Sequence, residues 1–294
     1  MRKEKSMILQ ETYTLNNGVS IPKLALGTWL IDDGDAAQAV RSAVDVGYRH
    51  IDTAQAYNNE RGIGEGARSC GVPREELFLV SKVAAEHKTY AQAAAGIDQS
   101  LQTMGLDYLD MMIIHSPQPW TEVNLSDDRH FKGNVEAYRA LEDALSQGKL
   151  RAIGLSNFRI EDVRNILDNC EVKPAVNQIK AHVGSVPFEV AAFCQSNGIR
   201  IEAYSPIAHG EAERINGIDY MAAKYGVTIA QLCIRYVLQL GMIALPKTTN
   251  PLRMKENASV DFCISPADMD QLNAAASLPD YGENSFFPVF GGTL

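Results

Sequence analysis

The sequence lacks three features that would place it in common protein classes: an excess of basic residues, paired cysteines and a long apolar run. Its 294 residues carry a formal net charge of -9, whereas nucleic-acid-binding domains usually show a basic footprint. The five cysteines are scattered and include no C-x-x-C pair, which argues against a disulfide framework and a cysteine-based zinc site. No apolar stretch approaches the ~18 residues of a membrane-spanning helix, and no apolar signal segment follows the basic start. We therefore expect a cytoplasmic protein with neither a nucleic-acid nor a membrane partner.

Short apolar runs alternate with segments of helical periodicity along the whole chain. Eight of these runs are expected as buried strands, at 24–26, 49–52, 77–82, 109–115, 152–155, 175–179, 200–204 and 242–245. An Asn-Asn-Gly turn at 16–18 predicts a hairpin between strands at 12–15 and 19–21. Strands that each precede a helix predict an α/β fold, a (β/α)8 TIM barrel with an N-terminal β-hairpin. Because no linker or low-complexity segment divides the chain, we interpret residues 1–294 as one domain, with a C-terminal substrate loop at 277–294.

Four residues with chemically active side chains lie at or just after the ends of these strands. Asp52, Lys82 and His115 end the second, third and fourth strands, and Tyr57 lies in the loop after the second. Active sites of such barrels lie at this rim, so the four side chains are expected to meet. A phenol with a reference pKa near ~10 is a weak acid at neutral pH, but a neighbouring cation lowers that pKa. A carboxylate would keep the lysine charged, and an imidazole could hydrogen-bond a carbonyl oxygen. The set is typical of a proton-transfer site.

Each of the four residues also has a structural interpretation when it is taken alone. A single histidine is more often a satisfied polar group than a catalytic one. Asp52 could cap a helix, and Tyr57 could be a packed aromatic residue with a solvated hydroxyl. Lys82 is harder to explain in this way, because a lysine that ends an apolar strand is seldom buried without a partner. The chemistry is therefore inferred from the set rather than from one member.

Nine short motifs follow one another in order along the chain. They are Leu-Gly-Thr-Trp at 26–29, Asp-Thr-Ala at 52–54, Tyr-Asn-Asn-Glu at 57–60, Ser-Lys-Val at 81–83, Ile-His at 114–115, Gly-Leu-Ser-Asn-Phe at 154–158, Val-Asn-Gln at 176–178, Ala-Tyr-Ser-Pro at 203–206 and Pro-Lys-Thr at 246–248. With these motifs the chain resembles the aldo-keto reductase superfamily from about residue 14 to residue 262. It looks closest to the microbial branch that includes diketogluconate and glyoxal reductases.

The resemblance implies a role for each member of the catalytic set. Tyr57 would be the general acid that protonates the oxygen of a small aldehyde or ketone. Lys82, held by Asp52, would lower the pKa of that phenol, and His115 would orient the carbonyl group. NADPH would donate hydride to the carbonyl carbon. The implied function is NADPH-dependent reduction of a small carbonyl substrate by a monomer.

The resemblance also implies the residues that bind cofactor and substrate. The expected cofactor contacts are Ser156, Asn157 and Gln178 with the carboxamide, Tyr204 and Ser205 at the nicotinamide, Lys247, Thr248 and Arg253 with the 2′-phosphate, and Glu256 and Asn257 with the adenine. The expected substrate contacts are Trp29, Trp120, Phe286 and Phe287.

Several of these contacts have alternatives. Lys247 and Arg253 form a local cationic group in an acidic chain, and arginine suits a phosphate, but both could be solvated surface charges. Trp29 could belong to the substrate wall or to ordinary rim packing. Phe286 and Phe287 could close the pocket or anchor the chain end.

A Gly-Ile-Gly-Glu-Gly-Ala segment at 62–67 matches the dinucleotide-binding fingerprint G-x-G-x-x-A. The first glycine of that fingerprint belongs in the turn directly after a strand. Here the loop that contains Tyr57 intervenes. We therefore interpret these glycines as helix packing residues.

Three positions depart from the family pattern. Ser116 follows His115 where many relatives carry tryptophan, and Lys180-Ala181 replace a Glu-Tyr pair. Asn250 stands where some relatives add a basic residue. The first departure leaves the substrate size open, and the last predicts a moderate preference for NADPH over NADH.

Two other functions stay possible from the sequence. A catalytically weak accessory or regulatory protein could keep the barrel and its nicotinamide cofactor without turnover, although an intact catalytic set argues against it. A metal-dependent aldolase or hydrolase could use the same fold, but the six histidines show no spacing such as H-x-x-x-H, so we expect no metal site. The fold alone does not separate these functions.

Overall fold

A computed structural model describes residues 8–290 as a barrel closed at one end by a hairpin. The hairpin pairs β1 (Thr12–Thr14) with β2 (Ser20–Pro22) in antiparallel register. The barrel strands are β3 (Ala25–Gly27), β4 (His50–Asp52), β5 (Phe78–Val83), β6 (Leu109–Ile114), β7 (Leu150–Ser156), β8 (Val176–Lys180), β9 (Arg200–Tyr204) and β10 (Ile243–Leu245). Each barrel strand pairs in parallel with the next one. Bridges from Leu24 to Ala244 and from Gly27 to Lys247 join the first strand to the last. The predicted (β/α)8 fold is confirmed.

Ten helices surround the sheet within the described residues. They are α1 (Asp33–Val46), α2 (Glu60–Ser69), α3 (Tyr90–Met104), α4 (Phe131–Ser146), α5 (Ile160–Asn169), α6 (Phe188–Ser196), α7 (Ile218–Tyr225), α8 (Ile229–Gln239), α9 (Pro251–Asn257) and α10 (Pro266–Asn273). The helix α1 ends because Gly47 adopts a left-handed conformation with φ of 116° and donates its N–H to the carbonyls of Ala43 and Val44. The helix α8 begins with a capping box between Thr228 and Gln231.

Side chains alternate between the two faces of each strand, and this alternation places the site. On β5, Phe78 and Val80 belong to a small apolar cluster shared with Ile21 of the hairpin, whereas Leu79 packs in the larger cluster beneath the helices. Because successive side chains point to opposite faces, Lys82 shares the interior face with Phe78 and Val80. The hairpin therefore closes one end of the barrel interior, and the side chains toward the other end are polar.

The glycines at 62–67 lie inside α2, at close contacts between helices. A Cβ atom on Gly62 would lie 2.3 Å from the Asp33 carbonyl oxygen, and one on Gly64 would lie 2.1 Å from the Met104 carbonyl oxygen. Only glycine allows α2 to approach α1 and α3 so closely. The interpretation of this segment as packing rather than dinucleotide binding is confirmed.

Residues 8–290 contain neither a candidate membrane-spanning helix nor a candidate metal-binding cluster. No helix in that range combines the length and the apolar character needed to cross a bilayer. In the same range, no three His, Cys, Asp or Glu side chains are grouped so that they could hold a metal ion.

Candidate active site

A buried ion pair lies at the centre of the candidate site. Lys82 Nζ donates to Asp52 Oδ1 at 2.6 Å and to the Thr53 carbonyl oxygen at 2.9 Å. The exposed fraction is 0% for Lys82 and 3% for Asp52. Since a buried charge is tolerated only when it is paired and hydrogen-bonded, each member requires the other. The opposite charges and hydrogen bonds outweigh burial, which alone would lower the Lys82 pKa, so that pKa is raised and the ammonium stays charged.

The Tyr57 hydroxyl lies beside this ammonium. Lys82 Nζ is 3.3 Å from the phenol oxygen. Burial raises the Tyr57 pKa, and Lys82 opposes this effect without overcoming it. The sequence suggested only the lowering effect of Lys82, because the depth of burial depends on the surrounding loops. The phenol is therefore protonated at neutral pH, as a general acid must be.

The loop that carries Tyr57 is fixed by two side chains that the expected site did not include. Gln55 Oε1 accepts from the Ala84 N–H at 2.7 Å, and Gln55 Nε2 donates to the Gly96 carbonyl at 2.7 Å. Asn59 Nδ2 donates to the carbonyls of Thr28 and Ile31, both at 2.9 Å. These bonds tie the loop to β5, α3 and the rim after β3, and so help to fix the position of Tyr57.

His115 lies on the other side of the phenol. Its ring centroid is 5.5 Å from that of Tyr57 and 4.9 Å from that of Trp120, both in edge-on geometry. Burial and the nearby Lys82 charge hold the His115 pKa well below its usual value. His115 is therefore neutral. Its Nδ1 is buried and has no partner within the described residues, so Nε2 is the nitrogen left to meet a ligand.

A cavity of about 350 Å³ opens above these groups. Of the expected site residues, Trp29, Asp52, Tyr57, His115, Trp120, Ser156, Asn157, Gln178, Tyr204, Ser205, Lys247, Arg253 and Phe287 line it. Lys82 lies beneath it. The residues expected near its rim that do not line it are Thr248, Glu256, Asn257 and Phe286. The structure thus brings the catalytic set together with most of the expected cofactor and substrate contacts.

One wall of the cavity is polar. Asn157 adopts a left-handed backbone conformation with φ of 63°. Its Nδ2 donates to the His115 carbonyl at 3.0 Å, and its Oδ1 accepts from the Tyr204 hydroxyl at 2.7 Å. The Tyr204 ring is thereby held at the rim as a flat surface. Ser205, next in the chain, has its hydroxyl 3.0 Å from His209 Nε2.

The opposite wall is aromatic. Phe287 packs on Trp29 with a centroid distance of 5.2 Å and on Trp120 at 4.9 Å. The Phe286 ring centroid is 6.2 Å from that of Trp29, but Phe286 is 57% exposed and does not line the cavity. Trp120 supplies an aromatic surface beside His115, whereas Ser116 is buried and turned to Gln118.

The chain end is docked over this wall by two hydrogen bonds. Lys180 Nζ donates to the Val289 carbonyl and Asn124 Nδ2 donates to the Pro288 carbonyl, both at 2.9 Å. Lys180 is one of the departures from the family pattern, and it holds the tail in place here. The tail therefore closes one side of the pocket through Phe287.

The open end of the cavity carries two exposed cations, Lys247 and Arg253. Neither forms an ion pair within residues 8–290. Asn250, which replaces a basic residue of some relatives, accepts from the Leu252 N–H at 2.8 Å and so caps the start of α9. Thr248 is used in the same turn, where its hydroxyl accepts from the Asn250 N–H at 3.1 Å.

Glu202 and His50 belong to the site although no motif pointed to them. Gln178 Nε2 donates to Asp52 Oδ2 at 2.9 Å and to Glu202 Oε2 at 3.0 Å. Glu202 Oε1 lies 3.7 Å from His50 Nε2. Strand alternation was an available signal, because Glu202 shares the interior face with Tyr204, and His50 shares it with Asp52.

The comparisons with known proteins agree with this geometry. Residues 23–277 match the model of the Aldo/keto reductase family. The chain is 38% identical over 268 residues to glyoxal reductase of Bacillus subtilis (strain 168), which covers 90% of this chain and 93% of that protein. An aldo-keto reductase from a Medee basin deep-sea metagenome library superposes with a TM-score of 0.83 at 31% identity, over 89% of this chain and 94% of that one. The Bombyx mori aldo-keto reductase, solved in complex with NADP, superposes with a TM-score of 0.79 at 30% identity, over 90% and 92%. The chain belongs to the aldo/keto reductase family of oxidoreductases.

Proposed function

We propose that this protein reduces a small aldehyde or ketone to the alcohol, with NADPH as the hydride donor and Tyr57 as the general acid. The observation that carries the proposal is the placement of a protonated phenol 3.3 Å from a buried, paired ammonium at the floor of a cavity. The test is NADPH oxidation with a panel of aldehydes, diketones, keto-sugars and keto-esters, with and without a chelator. We expect chelator-resistant turnover with at least one class of carbonyl. Turnover abolished by the chelator would favour metal-dependent chemistry instead.

The residues present fit the family's cofactor, NADPH. The Tyr204 ring at the rim gives a flat surface for the nicotinamide ring, and Gln178 offers a polar partner for its carboxamide. Lys247 and Arg253 at the open end would receive the 2′-phosphate. When bound, NADPH supplies the hydride that reduces the carbonyl carbon.

The protein's own groups then handle the proton. The substrate oxygen would accept hydrogen bonds from the Tyr57 hydroxyl and from His115 Nε2. A neutral His115 donates without giving up its proton, so the transferred proton comes from Tyr57. The phenolate that forms is stabilised by Lys82, whose charge Asp52 maintains.

The substrate class is proposed from the cavity and from the relatives. A cavity of about 350 Å³ that also receives the nicotinamide leaves room for a small carbonyl compound. Because one relative is named glyoxal reductase, short aldehydes and 1,2-dicarbonyls are the first compounds to assay. The comparisons give no support to the alternative of an accessory protein without turnover.

Three further features stay proposals. Residues 1–294 would form one domain, act as a monomer and reside in the cytoplasm. Support for them comes from the sequence, through an undivided barrel pattern and scattered cysteines. Size-exclusion chromatography with light scattering would test the monomer, for which we expect a mass near 32.2 kDa.

Arg253→Ala should weaken NADPH binding by about 10–100-fold and leave NADH binding nearly unchanged. A charged hydrogen bond contributes roughly 1.5–3 kcal/mol, and NADH has no 2′-phosphate for the guanidinium to contact. A fluorescence titration with both cofactors measures the effect. Lys255→Ala is the matched control, since it removes a cation from the same helix without a cavity contact.

Salt provides a second measure of the same contact. Raising the ionic strength should weaken NADPH more than NADH in the wild type, because screening acts between charges. In Arg253→Ala, the salt dependence of NADPH binding should approach that of NADH binding. Equal weakening of the two cofactors by the substitution would show that Arg253 serves structure and that the 2′-phosphate is bound elsewhere.

Phe287→Ala should raise KM for apolar aldehydes by about 3–30-fold with a smaller change in kcat. The ring packs on Trp29 and Trp120 in the cavity wall, so its loss removes substrate contact that is similar in the ground and transition states. Steady-state kinetics measure the two constants. The neighbouring Phe286→Ala removes an equally large ring outside the cavity lining, and we expect it to change KM little. Equal effects of the two substitutions would mean that they only loosen the tail.

A further inference from the structure

A line of buried polar groups continues below the catalytic set into the barrel interior. It runs from Lys82 through Asp52 and Gln178 to Glu202 and His50. Glu202 and His50 are both 0% exposed. Burying a carboxyl group and an imidazole costs free energy unless they are hydrogen-bonded, and neither residue touches the cavity. Their presence at this depth calls for a role that acts through a neighbour.

Gln178 is that neighbour, and both of its N–H groups are taken. Nε2 donates to Asp52 Oδ2 at 2.9 Å and to Glu202 Oε2 at 3.0 Å. A side-chain amide has two donors on nitrogen and an acceptor on oxygen. A reversed amide would place its oxygen about 3 Å from two carboxyl oxygens, where there is no donor on the Asp52 side. The two contacts therefore fix which atom of Gln178 faces the cavity, and that atom is Oε1.

The surroundings of His50 and Glu202 indicate which of their two facing atoms carries a hydrogen. His50 Nδ1 lies 3.2 Å from the Pro22 carbonyl oxygen, which only accepts, so Nδ1 carries a hydrogen. In the neutral ring Nε2 is then an acceptor, and it faces Glu202 Oε1 at 3.7 Å. Neither of these two atoms has another partner within the described residues. The separation of 3.7 Å is longer than a hydrogen bond. A protonated Glu202 is nevertheless the form that turns a donor rather than a second acceptor toward Nε2.

The pKa values of the two groups agree with a protonated Glu202 and a neutral His50. Burial and the Asp52 charge raise the Glu202 pKa to about 8, while Lys82 lowers it. Burial lowers the His50 pKa to about 4, against the opposing effects of Asp52 and Asp110. Near neutral pH Glu202 is therefore protonated and His50 is neutral, so the pair has no net charge. It therefore adds no second negative charge beside the Lys82–Asp52 ion pair.

We propose that Glu202 is a positioning residue for the cofactor: with Asp52, it holds the Gln178 amide so that Oε1 is presented to the N–H group of the nicotinamide carboxamide. His50 Nε2 faces the other oxygen of Glu202 and so helps to hold that carboxyl group in place. The inference rests on the proposed binding of NADPH in the cavity. Glu202, which is buried in the barrel and touches neither cofactor nor substrate, thereby has a role in cofactor binding.

The test compares two ligands in four variants. NADPH reports on the whole site, and adenosine 2′,5′-bisphosphate, which lacks the nicotinamide, reports only on the phosphate end. Glu202→Met keeps the length of the side chain and removes the acceptor, and Glu202→Gln restores a neutral group that can accept from Gln178 and donate to His50. Gln178→Ala and the Gln178→Ala/Glu202→Met double variant complete a cycle.

We expect Glu202→Met to weaken NADPH by about tenfold, the order expected for one lost hydrogen bond. Binding of the bisphosphate should not change, and Glu202→Gln should bind NADPH within about threefold of the wild type. In the Gln178→Ala background, Glu202→Met should have no further effect. If Glu202→Met does not fold, Glu202→Thr replaces it, because its β-branched side chain suits a strand and is too short to reach Gln178.

Three results would overturn the inference: wild-type NADPH affinity in Glu202→Met, equal weakening of both ligands, or undiminished weakening in the Gln178→Ala background. Failure of the proposed function looks different. In that case the wild type itself would not bind NADPH, or would bind it without oxidising it in the presence of any carbonyl compound of the panel.

Discussion

Tyr57→Phe should lower turnover by at least ~10²–10⁴-fold, the usual contribution of general acid catalysis, and leave NADPH binding intact. The substitution removes one oxygen atom and keeps the ring that packs against His115. The reaction would lose the phenol proton that lies beside the Lys82 ammonium. Pre-steady-state kinetics with a deuterated cofactor would measure the chemical step directly.

The control for this substitution is Tyr220→Phe, which removes a hydroxyl from a tyrosine that is 75% exposed on α7. It should leave turnover unchanged. The assignment of Tyr57 as the acid is wrong if Tyr57→Phe keeps near-wild-type turnover while an isotope effect shows that hydride transfer is rate-limiting.

Lys82 and Asp52 should behave as one unit in both activity and stability. Lys82→Met leaves the phenol without its cation, and Asp52→Asn leaves a buried ammonium without its counter-charge. Breaking a buried pair from one side costs about 3–5 kcal/mol, whereas removing both charges leaves none unpaired. We therefore expect the double variant to be more stable than the less stable single variant, and its activity loss to fall well short of the product of the single losses.

Urea unfolding and steady-state kinetics on the four proteins measure this coupling. Lys149→Met and Asp98→Asn form a control pair, since Lys149 and Asp98 make an ion pair at 2.6 Å whose side chains are 35% and 61% exposed. Exposed pairs contribute only ~0–1 kcal/mol, so their coupling should be small. Coupling no larger at Lys82 and Asp52 than at this control pair would contradict a shared role.

Much of the barrel follows from local sequence, because its strands are short apolar runs and its helices end at glycines. The predicted strand at 200–204 agrees with β9 to the residue, and the others differ by one or two residues at their ends, where hydrogen bonding frays. The start of α4 at Phe131 could not be anticipated in this way. Its first turn follows His130 in a left-handed conformation, which no residue type at that position signals.

The grouping of the proposed catalytic set could be anticipated because each member ends or follows a strand, and a barrel brings all strand ends together. The groups that hold the set were harder to anticipate. Glu202 sits within an apolar strand, and its partner Gln178 comes from a neighbouring strand. The alternation of side chains along the strand predicts that Glu202 faces the barrel interior. Its contact with Gln178, however, depends on the register between β8 and β9. The net rise in the Tyr57 pKa likewise depends on burial by loops from distant parts of the chain.

Transfer of deuterium from the cofactor tests the central claim most directly. The wild-type protein would be mixed with NADPH that is fully deuterated at C4 and with a short aldehyde or 1,2-dicarbonyl, and the product examined by mass spectrometry and NMR. The account predicts an alcohol that carries one deuterium on the carbinol carbon, formed in step with NADPH oxidation and much more slowly by Tyr57→Phe. An alcohol without deuterium at that carbon, or no alcohol from any carbonyl class in the panel, would contradict it.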